Sequence, residues 1–294
     1  DVCGVCQGPG PIYDCGCNPL PEGACDCAGN TPDGEGNCPD FLADTDADGI
    51  YDEILDPCLG QTTLNYHGHD YALVALYGNC WFRENLATTL TRDTVAIPEE
   101  TDYGTWNGLS SPAYAHYDND ASNTAAYGLL YNGFATTADY GLWPSGWSIP
   151  GTADWTALAD SLGGAATAGG ALKESGTDHW VAPNTGATNA SGFSALPGGQ
   201  RQVGTLGDTH VGEETWFWPN TSSSVPSTLI ACYGLTSTSA VLATVQHSRH
   251  RGHAVRCLLD PQVLGCTSTS FMEYDAHANL DDGSCQTPAI PGCT

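Results

Sequence analysis

The run 152-TADWTALADSLG-163 carries the clearest helical periodicity of this 294-residue chain. Thr152 is placed to cap a first turn, Trp155, Leu158 and Leu162 fall at i, i+3 and i+7 on one face, and Gly163 can stop the helix. Around it the apolar and aromatic runs are short: 71-YALVALYG-78, 127-YGLLYNGF-134, 216-WFW-218 and 240-AVLATV-245, all broken by Gly, Pro, Asn or Ser. Such runs between turn residues predict short strands and buried turns. One helix among many short strands makes the expected class α+β and loop-rich.

Composition narrows the function. Seven Lys and Arg stand against 34 Asp and Glu, a formal charge of -27. That field repels nucleic acid and anionic membrane surfaces, so no nucleic-acid partner is expected. Residues 1–60 hold 13 acidic residues and no base, residues 261–294 hold 4 and none, and every base lies between Arg83 and Arg256. No apolar run of about 18 residues exists to span a bilayer, so no transmembrane segment is expected.

Fourteen cysteines, eight of them in the first 58 residues, suit disulfides better than zinc. Only Cys3 and Cys6 have the CxxC spacing of a zinc knuckle, whereas Cys15/Cys17 and Cys25/Cys27 are CxC pairs. An oxidising location, secreted or at the cell surface, follows. Residues 1–40 are too poor in apolar side chains to build a core and read as a disulfide-stapled segment of open connectivity. At the other end 265-GCT-267 recurs as 292-GCT-294, which predicts a longer modular polypeptide.

Between these lies 44-DTDADGIYDEILDPC-58. Crowded carboxylates repel one another, and a hard cation is what brings them together. Calcium takes 6–8 oxygen ligands at roughly 2.3–2.6 Å in irregular geometry, which alternating aspartates around a glycine turn supply. The expected ligands are Asp44, Asp46, Asp48, the carbonyl of Ile50, and Asp52, with Glu53 and Asp56 the two candidates to close the shell. Cys38 and Cys58 flank the run and would close a loop around it if paired.

This run resembles the thrombospondin type 3 calcium repeat, DxDxDGxxDxxDxC, with Asp56 one residue later than that pattern places its last aspartate. The central region, about residues 64–260, resembles the Fibrobacter succinogenes major paralogous domain through 77-YGNCWFRENL-86, 127-YGLLYN-132, 144-PSGWSIP-150, 154-DW-155, 169-GGALKE-174, 183-PN-184, 186-GATNASGFSALPGGQR-201 and 255-VRC-257. That resemblance implies a C-type-lectin-like fold, a bacterial exported protein and a disulfide between Cys80 and Cys257. The tail 266-CTSTSFMEYDAHANLDDGSC-285 resembles acidic repeats of large exported bacterial proteins, with Cys266 and Cys285 at its ends. The segments expected are thus 1–40 cysteine-rich, 41–60 calcium loop, 64–260 lectin-like domain, and 265–294 terminal repeat with the start of another.

Several constellations compete for function. The sugar motifs of calcium-dependent lectins, EPN or QPD followed by WND, are absent. 143-WPSGW-147 and 216-WFW-218 are expected to build core, not a groove. Cys232 stands alone as a nucleophile; it is either buried and free, or bonded to a partner chain or an N-terminal cysteine, so no enzyme is expected. In 67-HGH-69 an extended backbone would put two imidazoles on one face as a zinc or copper pair, but neither there nor in 247-HSRHRGH-253 does spacing supply a third ligand, and a surface turn is expected. Arg249 and Arg251 offer a basic patch for the acidic end of another copy. The reading is a non-enzymatic, calcium-stabilised segment of an exported surface or fibre protein acting in adhesion or assembly, with a carbohydrate-binding module as the alternative. Its partners would be other copies of itself or surface glycans.

Overall fold

The computed structural model describes residues 42–43, 52–53, 57–137, 140–204, 207–220, 228–261, 264–274, 276, 280–281 and 285–288. The chain divides into two compact units, Asp1–Gly60 and Gln61–Thr294. In the first, β1 (Leu42–Ala43) pairs antiparallel with β2 (Asp52–Glu53), Ala43 opposite Asp52. Asp44, Asp46, Asp48, Ile50 and Asp56 lie outside the described residues, as does Cys38; Cys58 is disulfide-bonded.

The second unit opens with a meander of β3 (Thr63–Tyr66), β4 (His69–Leu76) and β5 (Asn79–Phe82). Its two turns are two-residue loops, His67–Gly68 and Tyr77–Gly78, with both residues at positive φ (52° and 82°, 49° and 77°). Such turns match the twist of the flanking strands, and glycine takes the second position without a steric cost. His67 therefore belongs to a turn and shares no strand face with His69.

Next come β6 (Tyr114–Ala115), β7 (Leu130–Asn132), β8 (Trp147–Ser148), β9 (Gly198–Arg201), β10 (Asp208–Val211), β11 (Glu214–Phe217), β12 (Leu229–Thr236), β13 (Ala243–Ser248), β14 (Gly252–His253) and β15 (Leu258–Leu259). Two sheets result. One runs β3-β4-β5-β15-β8; the other runs β13-β12-β11-β9-β14-β7-β6, with β10 beside β9. The chain returns to the first sheet at β15, so its last strand locks beside β5, with Leu258 opposite Trp81.

Among the described residues four α-helices accompany the sheets: α1 (Tyr103–Gly108), α2 (Thr124–Tyr127), α3 (Thr152–Ser161) and α4 (Ala165–Leu172). The expected helix is α3, with Trp155 and Leu158 buried and Leu162 partly buried against the core. Its cap lies one residue earlier than expected, at Gly151, whose N–H donates to the Asp154 carboxylate at 2.7 Å. Gly163 and Gly164, both at positive φ, end it, and the Gly164 N–H returns to the Ala159 carbonyl at 2.8 Å. Helix α4 contains two adjacent glycines, which propensity disfavours. Packing explains them: a Cβ at Gly170 would lie 2.3 Å from the Gly186 carbonyl oxygen, and one at Gly169 2.5 Å from that of Val241.

The core is aromatic. Trp81, Trp155, Trp180, Phe193, Phe217 and Tyr233 pack together, with Trp155 stacked on Tyr233 at 5.0 Å. All eight tryptophans are buried, none more than 7 % exposed. The expectation that 143-WPSGW-147 and 216-WFW-218 build core holds. The structure is α+β and loop-rich, and no helix among the described residues is long and apolar enough to cross a membrane.

Basic residues lie inside. Lys173, Arg201, Arg249 and Arg256, four of the seven, are buried. Lys173 Nζ donates to the carbonyls of Thr185, Thr236 and Ser239 at 3.0, 2.9 and 2.9 Å. Arg201 donates to the carbonyls of Glu100 and Thr101, both at 3.1 Å, and stacks over Tyr103. Loop carbonyls outside a strand ladder need donors once buried, and these cations supply them. Arg249 is buried beside Phe134 and half-buried Arg251 donates to Gln200, so the expected exposed basic patch for a second copy is not formed.

The implied Cys80–Cys257 disulfide is also not formed. Cys80 is disulfide-bonded, whereas Cys257 is a buried free thiol. Register gives the reason: the Phe82 N–H donates to the Cys257 carbonyl at 2.9 Å, which sets Cys257 opposite Phe82 and diagonal to Cys80. Diagonal Cα atoms lie about 7–8 Å apart, beyond the roughly 4.4–6.8 Å that a disulfide spans.

After β15 a small terminal module follows. β16 (Leu264–Gly265) pairs parallel with β17 (Leu280–Asp281), and Cys266 is bonded to Cys285. The Glu273 carboxylate accepts the N–H groups of Gln286 (3.3 Å) and Thr287 (3.0 Å). Hydrogen bonds from the Thr287 side chain and backbone hold its pKa down at about 2. A depressed carboxylate contributes stability that is present above its unfolded value near 4.5 and lost as pH falls towards 2. In an NMR titration the amide signals of Gln286 and Thr287 are expected to move with a midpoint near 2, and Glu273→Gln should abolish that movement.

Candidate functional site

Strand β5 continues into 83-REN-85, Glu174 follows two residues after the end of α4, and the turn-rich stretch 186–201 returns beside both. These segments meet around a cleft of about 300 Å³. Arg83, Glu84, Asn85, Glu174, Asn189 and Ser194 supply its polar lining, with Ala72, Ala126 and Leu196 the apolar part.

Each polar group is held by a neighbour. The Arg83 Nε–H donates to Ser194 Oγ at 3.1 Å, and Asn189 Nδ2 donates to the same oxygen at 2.9 Å. Asn189 Oδ1 in turn accepts the Ser194 N–H at 3.0 Å, closing a small ring in which Asn189, Ser194 and Gly192 all take positive φ. Glu174 pairs with His179 Nδ1 at 2.9 Å and Glu84 with His69 Nε2 at 3.3 Å. Helix α4 delivers Glu174 because Lys173, the preceding residue, is anchored inside by its three carbonyls.

Under the cleft lies Arg256. Its Nε–H donates to Asn85 Oδ1 (2.7 Å) and its Nη1 to the carbonyls of Phe82 (2.9 Å) and Phe193 (3.0 Å), so one guanidinium joins both walls. Asn85 passes the linkage on, donating to the Tyr127 carbonyl at 2.9 Å. The guanidinium lies over the Phe193 ring, 4.3 Å from its centre. Burial pushes its pKa down to about 9, so it keeps its charge at neutral pH.

A second constellation sits elsewhere in the same unit. On β12, β13 and β14 the side chains of Cys232, His247 and His253 converge, with one sulfur and two nitrogens all within 4.8 Å of one another. His247 Nδ1 and His253 Nε2 are 2.8 Å apart. Gly234, two residues from Cys232 on β12, leaves room for the Trp216 ring, which lies 4.4 Å from that of His247. Burial pushes the Cys232 thiol up, lowers His247 to about 4 and holds His253 well below the usual imidazole range, so the cluster is neutral. The expectation of a surface turn at 247–253 is overturned: both terminal imidazoles are inside, and the missing third ligand is the cysteine that stood alone.

Of the calcium residues, Asp52 and Glu53 lie in β2 and the rest outside the described part. The polar cleft was not foreseen. Its signal was present in 83-REN-85, Lys173-Glu174 and Asn189, charged and amide groups set inside otherwise small or apolar stretches.

An α+β domain with a disulfide-closed terminal module and a polar cleft lined by residues far apart in the chain is the class that fold and site define. The chain belongs to the Fibrobacter succinogenes major domain family, whose match runs over residues 74–258 and so takes in the whole of the larger sheet and every polar residue of the cleft. Neither the curated proteins nor the solved structures contain a match to it.

Proposed function

We propose that this chain is a non-enzymatic segment of a large exported bacterial surface or fibre protein, and that its Gln61–Thr294 unit, with a lectin-like fold, acts in adhesion. In this reading the cleft takes a polar ligand with neighbouring hydroxyl groups, of the kind surface glycans present. The observation that carries it is the convergence of Arg83, Glu84, Glu174, Asn189 and Ser194 on one cleft of about 300 Å³. Guanidinium, amide and carboxylate groups offer paired donors and acceptors that match vicinal hydroxyls, and a few such fixed groups are what orient a small ligand. Because every tryptophan is buried, recognition rests on hydrogen bonds and not on stacking against an indole face. The reading also takes the disulfides as those of an oxidising, extracellular setting.

In the Asp1–Gly60 unit the reading keeps calcium at Asp44, Asp46, Asp48, the Ile50 carbonyl and Asp52, closed by Glu53 or Asp56, as in a thrombospondin type 3 repeat. The β1–β2 pairing supports it by setting Ala43, just before the acidic run, opposite the candidate ligand Asp52, which lowers the entropy lost when carboxylates gather on an ion.

A glycan array followed by calorimetry tests the cleft. Retention of at least one glycan is expected, with affinity falling tenfold or more in Arg83→Ala and in Glu174→Ala while the unfolding midpoint stays within a few degrees. Absence of any retained glycan, or cleavage of a retained one, contradicts the reading. For calcium, the unfolding midpoint is expected to rise with the ion over chelator, and the rise to disappear in the double variant Asp46→Ala, Asp48→Ala.

A further inference from the structure

From the convergence of Cys232, His247 and His253 we infer that this chain holds one monovalent copper ion, bound by Cys232 Sγ, His247 Nδ1 and His253 Nε2 between β12, β13 and β14. The three ligand atoms already lie within 4.8 Å of one another, and all three residues are buried. Sheet register builds the arrangement: Cys232 stands opposite Val245 and His247 opposite Ile230, so thiol and imidazole are diagonal neighbours on one face, and His253 arrives from β14. Trp216 and Trp218 pack against the imidazoles at 4.4 and 4.5 Å. His253 is 0 % exposed, and its Nδ1, which carries the ring proton when Nε2 is a ligand, has no hydrogen-bond partner; Nε2, 2.8 Å from His247 Nδ1, is the nitrogen that faces the cluster.

Charge chooses the ion. The Trp216 and Trp218 rings pack against the two imidazoles, and all three ligand residues are buried. A divalent ion with one thiolate would leave an uncompensated positive charge in this interior, which desolvation disfavours. A monovalent copper ion with one thiolate is neutral. Zinc also prefers a fourth ligand, whereas a trigonal thiolate–imidazole set suits copper. Nitrogens bonded at about 2.0 Å in trigonal geometry stand about 3.5 Å apart, so the two nitrogens, now 2.8 Å apart, must separate by about 0.7 Å.

The binding step balances simply. The Cys232 S–H proton leaves to solvent as the sulfur–copper bond forms, one proton per ion. The proton between the two rings stays with the pair, moving to the far nitrogen of the ring that carries it, His247 Nε2 or His253 Nδ1, so that each neutral ring presents a lone pair. No electron is transferred. Cys232 and Cys257 are the free thiols among the described residues, in a chain where Cys58, Cys80, Cys266 and Cys285 are oxidised. Of those two thiols, only Cys232 has imidazoles beside it in the cluster.

The test is an anaerobic titration of the full chain with monovalent copper against a chromophoric competitor, with proton release followed in weak buffer. One copper and one proton per chain are expected, with X-ray absorption showing two nitrogens and one sulfur. Cys232→Ser and His247→Gln are expected to weaken binding at least a hundredfold, and Cys257→Ala to leave it unchanged, each with the wild-type near-ultraviolet dichroism. Wild-type protein that binds copper no more tightly than Cys232→Ser, or that takes zinc in preference when both are present at equal concentration, overturns the inference. Should both cluster variants fail to fold, the absorption spectrum of the wild-type complex decides alone: any shell other than one sulfur and two nitrogens overturns it.

Discussion

Arg256 carries a full positive charge at the centre of the larger unit, 1 % exposed, and three hydrogen bonds radiate from it to Asn85, Phe82 and Phe193. The domain has many short strands and long connections, so much of its buried backbone lies outside any ladder. Each such carbonyl needs a donor. A planar guanidinium offers five N–H groups in a fixed fork, and a lysine offers three, so a few cations can satisfy carbonyls from segments far apart in sequence. Lys173 joins residues 185, 236 and 239 in this way, and Arg201 joins 100, 101 and 119.

This explains a peculiarity of composition. A chain with only seven bases against 34 acids might be expected to display them for solubility, yet four are buried. The exterior is thus more acidic than the net charge of -27 alone implies, since the cations act as internal cross-links. The cleft inherits its shape from them. Arg256 joins the wall that carries Arg83 and Glu84 to the wall that carries Asn189 and Ser194, and Lys173 anchors the helix end that presents Glu174.

What the sequence made legible was local. The periodicity of Trp155 and Leu158, the glycine stop at Gly163 and the short strands are consequences of neighbouring residues, and they follow from propensity and pattern. What stayed hidden was long-range. Helix α4 runs through Gly169 and Gly170 because two carbonyls crowd it from elsewhere, a fact no local propensity contains. The Cys80–Cys257 pairing failed on a two-residue offset in register. Cys232 looked solitary because its imidazole neighbours reach it across a sheet, and the cleft gathers side chains from Ala72 to Arg256. The charged residues inside apolar stretches were the visible trace of both features.

The central claim is that one guanidinium fork joins the two cleft walls, and amide hydrogen exchange of Arg256→Lys tests it most directly. Lysine keeps the charge but lacks the fork. The account predicts faster exchange in 82–86 and in 193–196 together, by tenfold or more, with the β12–β13 hairpin unchanged. Exchange that is unaltered in both walls, or raised equally throughout the unit, would contradict it.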